Sequence, residues 1–311
     1  MITKLNSILE KRIAVITLLS VAIGVIVGKE LERYTFLVPW FFAFFSFSSS
    51  LGLRISGIKE ALKKPLPIVL CLLILYVIAP LVAFVFGFTL FPNDLYTIIG
   101  LVLAFTLPAG IVSLMWVSIY GGNRSLSLSI VIFSTLISPL IIPMTLSLLV
   151  GEEVLLDTFA IMSGIIWMVI IPSLLGITFH KLKANFSDTL KIRLSPFAKI
   201  SLMFVIMLNS SVASPYFKEM NSKLFLIGVV VLVVSLLGFM VGFLTGKLFK
   251  LDREIQITLM FNSGIRNIGV GAAIAITYFP APVVLPVVIT ILFQQVLASL
   301  CGYILKYLNK S

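Results

Sequence analysis

Ten mostly apolar stretches, separated by short polar connections, follow one another along this chain. A helix needs about 20 such residues, in a range of about 17 to 25, to cross a bilayer. The pattern predicts spans at about 13–28, 36–53, 66–89, 95–120, 126–149, 154–179, 198–214, 224–249, 255–278 and 282–305. The first and seventh stretches are the shortest, and charged residues flank both of them. The pattern therefore predicts an all-α polytopic membrane protein with ten transmembrane helices.

Basic residues fall mainly on one side of the predicted membrane. When the connections are assigned alternately to the two sides, 18 of the 23 Lys and Arg residues lie on the side of the N-terminus and four on the other. Cytoplasmic loops are enriched in Lys and Arg, so we predict that both termini are cytoplasmic and that the protein is a multi-pass protein of the cell (plasma or inner) membrane. This topology accounts for the net charge of +11 and leaves no excess that would indicate a nucleic-acid partner.

Composition supports a membrane protein and argues against an enzyme. Hydrophobic residues make up 60% of the chain and charged residues 11%, whereas a soluble domain has about 45–50% and about 25%. Every Asp and Glu lies at or beyond the ends of the predicted spans, and the one histidine, His180, lies at a helix end where we expect it to be solvated. Acid–base and metal chemistry in the membrane therefore lack their groups, and we expect no cofactor. Cys71 and Cys301 are predicted to be buried free thiols.

The first stretch follows Lys4, Lys11 and Arg12, as the apolar part of a signal peptide would. No Ala-x-Ala-like cleavage site comes after it, so we expect it to be retained as a helix.

The remaining basic residue, Arg266, lies near the middle of the ninth predicted span. All 12 acidic residues lie at or beyond the ends of the spans, so this cation has no embedded carboxylate with which to pair. A charge inside a membrane costs several kcal/mol and is usually paired or functional. We therefore expect Arg266 to belong to the functional site.

Breaks in two predicted helices indicate an inverted repeat. The fourth span contains Leu107-Pro108-Ala109-Gly110, and the ninth contains Asn262-Ser263-Gly264 followed by Gly269-Val270-Gly271. Gly110 and Gly264 are 154 positions apart, about half of the chain. Helix breaks in matching spans of two halves indicate a transporter binding site, because unwound backbone exposes polar groups. We predict a first five-helix repeat over 1–150 and an inverted second repeat over 151–311.

Several short motifs occur in a fixed order between residues 48 and 284. They are Ser48-Ser49-Ser50-Leu51-Gly52-Leu53 with the basic turn Arg54-Ile55-Ser56-Gly57-Ile58-Lys59, Pro80, Pro108-Ala109-Gly110 with Ser113, Gly122-Asn123, Ser134-Thr135-Leu136-Ile137-Ser138-Pro139, and Ala281-Pro282-Val283-Val284. In these motifs the chain resembles a divergent, bacterial-type member of the bile acid:sodium symporter family.

The resemblance implies a panel domain, formed by the first, second, sixth and seventh helices, and a core domain formed by the third to fifth and eighth to tenth. The broken fourth and ninth helices would cross in the core. An organic anion, either a carboxylate or a sterol-like acid, would bind beside the crossing and move by alternating access. The substrate-binding residues implied are Asn262, Ser263, Arg266, Asn267, Gln294, Gln295, Pro108 and Gly110.

In sodium-coupled members two Na⁺ ions bind behind the crossing, and here their ligand positions are largely replaced. The resemblance places Ser113, Leu114, Ser127, Val131 and Asn262 at the first ion site, and Leu75, Asn262 and Arg266 at the second. Leu and Val cannot coordinate Na⁺, and a guanidinium has only donors. Like charges at about 4 Å also repel by about 4 kcal/mol at an effective dielectric near 20. We therefore do not expect the usual two-sodium coupling.

Two roles for Arg266 follow from these replacements. In the first, its charge takes the place of sodium, and its side chain donates to carbonyls of the broken fourth helix and to Ser113 or Asn262. In the second, it points into the cavity and binds the substrate carboxylate directly. Both roles favour an anionic substrate.

The remaining polar and aromatic candidates have alternative explanations. Gln294 and Gln295 would face substrate or join packed helices, with the two roles about equal. Asn267 and Ser263 flank the break and would cap half-helices. Aromatic residues are expected to anchor at the interface (Trp40), to pack internally (Trp116), or to face lipid or the panel (Phe41, Phe42, Phe44 and Phe45).

The alternatives left open concern coupling and substrate. A sodium-coupled symporter with a partial ion site is one alternative. A carrier like the auxin-efflux or arsenite-exporter proteins, which share the ten-helix plan, is another. A channel is disfavoured, because channels usually have rings of repeated filter residues.

Overall fold

The computed structural model describes residues 6, 9, 13–52, 65–151, 157–218 and 221–308. Most of the N-terminal basic segment, the basic turn at 54–59 and the acidic pair at 152–153 lie outside these residues. Across the described ranges, every element longer than an isolated bridge is a helix.

The main helices are α1 Ile13–Val27, α2 Val38–Ser50, α3 Leu66–Leu90, α4 Leu95–Phe105, α5 Val112–Ile119, α6 Arg124–Val150, α7 Thr158–Leu182, α8 Ala184–Lys218, α9 Ser222–Leu248, α10 Arg253–Gly264, α11 Ile268–Tyr278 and α12 Ala281–Leu308. Six of the described helices, α3, α6, α7, α8, α9 and α12, are long and apolar enough to cross a membrane. Shorter apolar helices include α1, α2, α4 and α11. The protein is therefore an all-helical, multi-pass membrane protein.

The helices pack in two groups. In the first, α8 packs along α1 and α2, and α7 packs against α2. In the second, α9 packs along α10, and α12 packs against α4, α9 and α11. The two groups meet mainly where α8 contacts α11 and α12 and where α6 contacts α7.

Proline explains one irregularity shared by α3 and α7. Each helix contains a π-helical turn, at Ile74–Ile78 and at Ile166–Ile170, and each turn is followed within two residues by Pro80 or Pro172. Proline has no N–H to donate and crowds the preceding turn, so the backbone widens before it.

The helix at the seventh predicted span is longer than that span, and the expectation for His180 is wrong. The seventh predicted span covers 198–214, but α8 is 35 residues long, so much of the predicted basic loop is helical. Hydropathy detects only the part of a helix that lies in lipid. His180, expected to be solvated, is only 9% exposed, and its Nδ1 lies 3.8 Å from Oδ1 of Asp188. The reason is that α8 begins two residues after α7 ends, so its first turns cover the end of α7.

An ion pair joins two connections that the charge pattern places on the same side of the membrane. Nζ of Lys223, at the start of α9, lies 2.6 Å from Oδ2 of Asp94, whose side chain also caps α4 through Thr97. Burial alone would raise the pKa of the Asp94 carboxyl, but hydrogen bonds from Lys223 and Thr97 outweigh it and hold the pKa below its usual value of 3.8.

This pair predicts a loss of stability in acid. A carboxylate with a lowered pKa stabilises the fold above its unfolded pKa, and the contribution is lost as pH falls below about 4. Thermal unfolding in detergent should show the melting temperature of the wild type falling more steeply between pH 6 and pH 3 than that of Lys223→Met. Parallel curves for the two proteins would contradict the assignment.

Candidate functional site at the helix crossing

Two interrupted helices cross at the centre of the molecule. α4 ends at Phe105 and α5 begins at Val112, while α10 ends at Gly264 and α11 begins at Ile268. The irregular segments between them form an antiparallel bridge at Ala109 and Arg266. The predicted breaks in these two spans are therefore confirmed, and the structure brings them together.

Main-chain hydrogen bonds hold the crossing. The Gly110 N–H donates to the Ile265 carbonyl at 2.9 Å, and the Asn267 N–H donates to the Pro108 carbonyl at 2.8 Å. Two further N–H groups use side-chain acceptors, which are Ser134 Oγ for Ala109 at 3.2 Å and Gln294 Oε1 for Arg266 at 3.0 Å. These bonds satisfy the polar groups that unwinding would otherwise leave unpaired in a buried region.

Gly110 permits the close approach of the two segments. A Cβ at this position would lie 2.7 Å from the Arg266 carbonyl oxygen and 2.9 Å from its carbon. Only glycine fits without moving one segment away from the other. Pro108 accepts a hydrogen bond at its carbonyl from the Asn267 N–H. It has no N–H of its own to leave unpaired.

Two clefts lie beside the crossing. The first, the glutamine cleft, has about 700 Å³ of empty space, part of it open to the surface, and is lined by Gln294 and Gln295 with Gly110, Arg266, Asn267 and Thr17. The second, the serine cleft, has about 560 Å³ and is lined by Ser46, Ser50, Thr135 and Ser173 among apolar residues. Phe45, Ile111 and Asn267 line both clefts and form the partition between them.

The N-terminal ends of α5 and α11 lie at these clefts. Ile111 and Val112 begin α5, and Ile268 and Gly269 begin α11, and all four residues line the glutamine cleft. Helix N-termini carry partial positive charge and unpaired N–H groups. Their placement favours an anion in this cleft.

The guanidinium of Arg266 lies behind the crossing. Arg266 is 3% exposed, and its Cζ lies 5.5 Å from the ring centroid of Phe105. A Cβ added to Gly238 would be 3.8 Å from its Nη2, and Cys71 and Tyr76 are the groups with which its charge interacts. Neither cleft is lined by these four neighbours. Arg266 itself lines the glutamine cleft, whereas the groups around its guanidinium lie outside both clefts.

This arrangement corrects the predicted contacts of Arg266. Nη1 and Nη2 are buried and have no hydrogen-bond partner among the described residues, so they donate neither to carbonyls of the broken helix nor to Ser113 or Asn262. The main chain of Arg266, not its terminal nitrogens, braces the crossing. Arg266 itself lines the glutamine cleft, so the prediction that its side chain points into the cavity stays a prediction.

The residues at the first ion-site positions form a closed polar cluster. Ser113 Oγ donates to Asn262 Oδ1 at 2.9 Å, and Ser127 Oγ lies 3.1 Å from the same oxygen. Asn262 Nδ2 donates to Ser127 Oγ at 2.8 Å and to the Thr258 carbonyl at 2.9 Å. All three side chains are fully buried. The amide of Asn262 satisfies the oxygens that would otherwise be available to a cation.

Apolar side chains occupy the other ion-site positions. Leu75 and Val131 are buried, and Leu114 is half-buried. None of the three can supply an oxygen ligand from its side chain.

Gln294 and Gln295 face the cleft and also support the crossing. Gln294 Oε1 accepts from the Arg266 main chain, and Gln295 Oε1 accepts from Trp116 Nε1 at 3.3 Å. Trp116 stacks on Tyr120 and Phe261, so its predicted packing role is confirmed.

Replacing Gln294 by Leu should therefore destabilise the protein more than replacing Gln295. The first change leaves the buried Arg266 N–H unpaired, at a cost of about 1–3 kcal/mol. The second removes a longer bond at a half-buried position. Thermal unfolding of Gln294→Leu and its neighbour control Gln295→Leu would show the difference, and equal melting temperatures would argue against the assigned bond.

Predicted capping by two residues beside the break is not found, and some aromatic residues lie elsewhere than expected. Asn267 is at the N-cap position of α11 but makes no side-chain capping bond, and Ser263 Oγ is instead 3.5 Å from Cys71 Sγ. Phe42 is fully buried, and Phe45 lines both clefts. Sequence reasoning had no signal for Phe45, because aromatic residues on α2 look alike until their facing helices are known. Cys71 and Cys301 are buried and free, as predicted.

Comparison with known proteins identifies the family. The profile of the Sodium Bile acid symporter family matches residues 39–220. The chain belongs to the sodium bile acid symporter family. It is 43% identical over 288 residues to the "Uncharacterized protein YbaS" of Bacillus subtilis (strain 168). These residues make up 92% of this chain and 94% of that protein.

A second relative is more distant. The "Uncharacterized sodium-dependent transporter YocS" of Bacillus subtilis (strain 168) is 26% identical over 240 residues, which cover 77% of this chain and 73% of that protein. Family membership and the described apolar helices together make this chain a membrane transporter of the secondary type.

Proposed function

We propose that this member of the sodium bile acid symporter family carries organic anions by alternating access, with the permanent charge of Arg266 in place of coupled sodium. The observation that carries the proposal is a fully buried guanidinium directly behind the crossing, in a chain with no acidic residue between 254 and 311 to neutralise it. The substrate class is a carboxylate or a sterol-like acid, bound in the glutamine cleft in the lipid bilayer.

Electrostatics supports an anionic substrate. Opposite unit charges about 7 Å apart attract by about 2 kcal/mol at an effective dielectric of about 20. Asn267 lines the glutamine cleft one residue after Arg266. A carboxylate bound beside Asn267 would therefore be attracted by the charge of Arg266 and by the partial positive charges of the two helix N-termini. The amides of Gln294 and Gln295 are placed to orient it.

The proposed architecture has ten transmembrane helices in two inverted repeats, 1–150 and 151–311, with both termini cytoplasmic in the cell membrane. In this scheme α4 with α5, and α10 with α11, each form one broken span. The packing of α1, α2, α7 and α8 supports a panel domain, and the packing of α9 with α10 and of α12 with α4 and α11 supports a core domain. The pairing of Asp94 with Lys223 supports the placement of their two connections on one side of the membrane.

Uptake into liposomes tests the proposal. The reconstituted protein is given labelled cholate, 2-hydroxybutyrate, indole-3-acetate and arsenite, each with Na⁺ or with choline in its place, and at two pH values. We expect uptake of cholate or 2-hydroxybutyrate, at equal rates with and without Na⁺. Uptake of neither of these two carboxylates would refute the proposed function.

A sodium-coupled symporter is the second candidate. Ser113 and Ser127 remain at the first ion site, and a relative bears a name that describes it as sodium-dependent. Uptake that requires Na⁺ would favour this candidate. Uptake of arsenite alone would favour the arsenite-exporter-like alternative, and uptake of indole-3-acetate alone the auxin-efflux-like one.

A further inference from the structure

The charge of Arg266 belongs to the helix group that contains the crossing. Its immediate neighbours, Phe105, Cys71, Tyr76 and Gly238, come from α4, α3 and α9. A guanidinium keeps its proton in proteins. The positive charge therefore stays with this group of helices in every step of a transport cycle.

Nothing built into this group neutralises the charge. Residues 61–93, 95–151, 220–251 and 255–311, which form nearly all of α3–α6 and α9–α12, contain no Asp or Glu. In the described part of the chain, Nη1 and Nη2 also have no hydrogen-bond partner. The N-terminal ends of α5 and α11 add further positive potential at the glutamine cleft.

An empty carrier and a loaded carrier then differ in net charge at the site. With one carboxylate in the glutamine cleft, the guanidinium and the helix ends have a counter-charge nearby. Without it, closure removes the water of the cleft while the guanidinium and the helix ends have no counter-charge, and a charge shielded from water without one is costly. Closure should therefore be much slower when the cleft is empty.

We propose that this protein is an anion exchanger, in which the inward and outward movements of the carrier each require a bound carboxylate with a single negative charge. This inference rests on the proposed function and adds its mode of operation. It follows from the permanence of the charge, since a fixed guanidinium cannot leave the site with the substrate as a dissociable cation can.

Counterflow into liposomes tests the exchange. Labelled cholate and 2-hydroxybutyrate are supplied in separate assays to liposomes loaded with the same unlabelled anion or with chloride alone. Equal K⁺ on both sides with valinomycin holds the membrane potential at zero, so that accumulated charge does not limit entry into the chloride-loaded vesicles. We expect initial uptake to be about tenfold or more faster into the anion-loaded vesicles.

Variants connect this ratio to the buried charge. Arg266→Gln should bring the ratio of loaded to empty uptake toward one, whereas Arg266→Lys, which keeps the charge, should preserve it. Gly228→Ala is the control for reconstitution, because a Cβ there meets no atom within 4 Å.

The outcomes separate the two proposals. Uptake that is equal in loaded and chloride-filled vesicles would overturn exchange and leave the anion carrier intact. A wild-type ratio that persists in Arg266→Gln would overturn the role of the charge. No uptake of any probe in either kind of vesicle would overturn the proposed function itself, and exchange with it.

Discussion

Replacement of Arg266 by Gln is expected to slow anion uptake by about 30-fold while raising the thermal stability of the protein. The loss follows from the attraction of about 2 kcal/mol between the guanidinium and a bound carboxylate, at 1.4 kcal/mol for each factor of about ten. The gain in stability follows because a neutral amide costs less to bury than an unpaired cation. Slower uptake together with higher thermal stability would show that the charge serves transport, whereas a charge that stabilises the fold would lower both when removed.

Uptake at low substrate concentration and thermal unfolding in detergent measure the two effects. Arg266→Lys is the matched control, because it keeps the charge and should retain most of the uptake. Unchanged uptake in Arg266→Gln would remove Arg266 from the mechanism. A lower melting temperature in that variant would show that the guanidinium has a stabilising partner.

The substitution Gly110→Ala is expected to abolish the crossing. The new Cβ would lie 2.7 Å from the Arg266 carbonyl oxygen, so the segments must separate and weaken the bonds from Gly110 to Ile265 and from Asn267 to Pro108. Overpacking costs about 1–3 kcal/mol, and an unpaired buried N–H costs about 1–3 kcal/mol more.

A fall in melting temperature of about 5 °C or more and a loss of uptake should follow from Gly110→Ala. The control is Gly228→Ala, which adds the same methyl group in open space on α9 and should raise helix stability slightly. If both variants unfolded at the same temperature, the crossing would not be the close contact described here.

Hydropathy and helix-breaking residues were sufficient to predict the helical architecture and both breaks. Apolar length determines where a chain can cross lipid, and Pro108 and Gly264 interrupt that pattern whatever surrounds them. The burial of Arg266 could also be predicted, because it lies near the middle of an apolar stretch with no acidic residue or polar connection close to it in the chain.

The directions in which side chains point, and the groups that they contact, could not be predicted from the sequence. The guanidinium of Arg266 lies beside Phe105, and the main chain at this position is held by the bridge to Ala109. That bridge joins segments far apart in sequence, and neither one shows it alone. The burial of His180 was missed because it depends on the first turns of α8, which a charge count assigns to a loop.

The crossing is held by peptide groups, and every amino acid except proline supplies the same peptide N–H and carbonyl. Its geometry therefore places few demands on side chains beyond glycine at position 110 and the acceptors Ser134 and Gln294. Other side chains around it can therefore change without disrupting the main-chain scaffold. If Arg266 replaces coupled sodium as proposed, a few substitutions beside an unchanged crossing are enough to alter the ion requirement of a carrier.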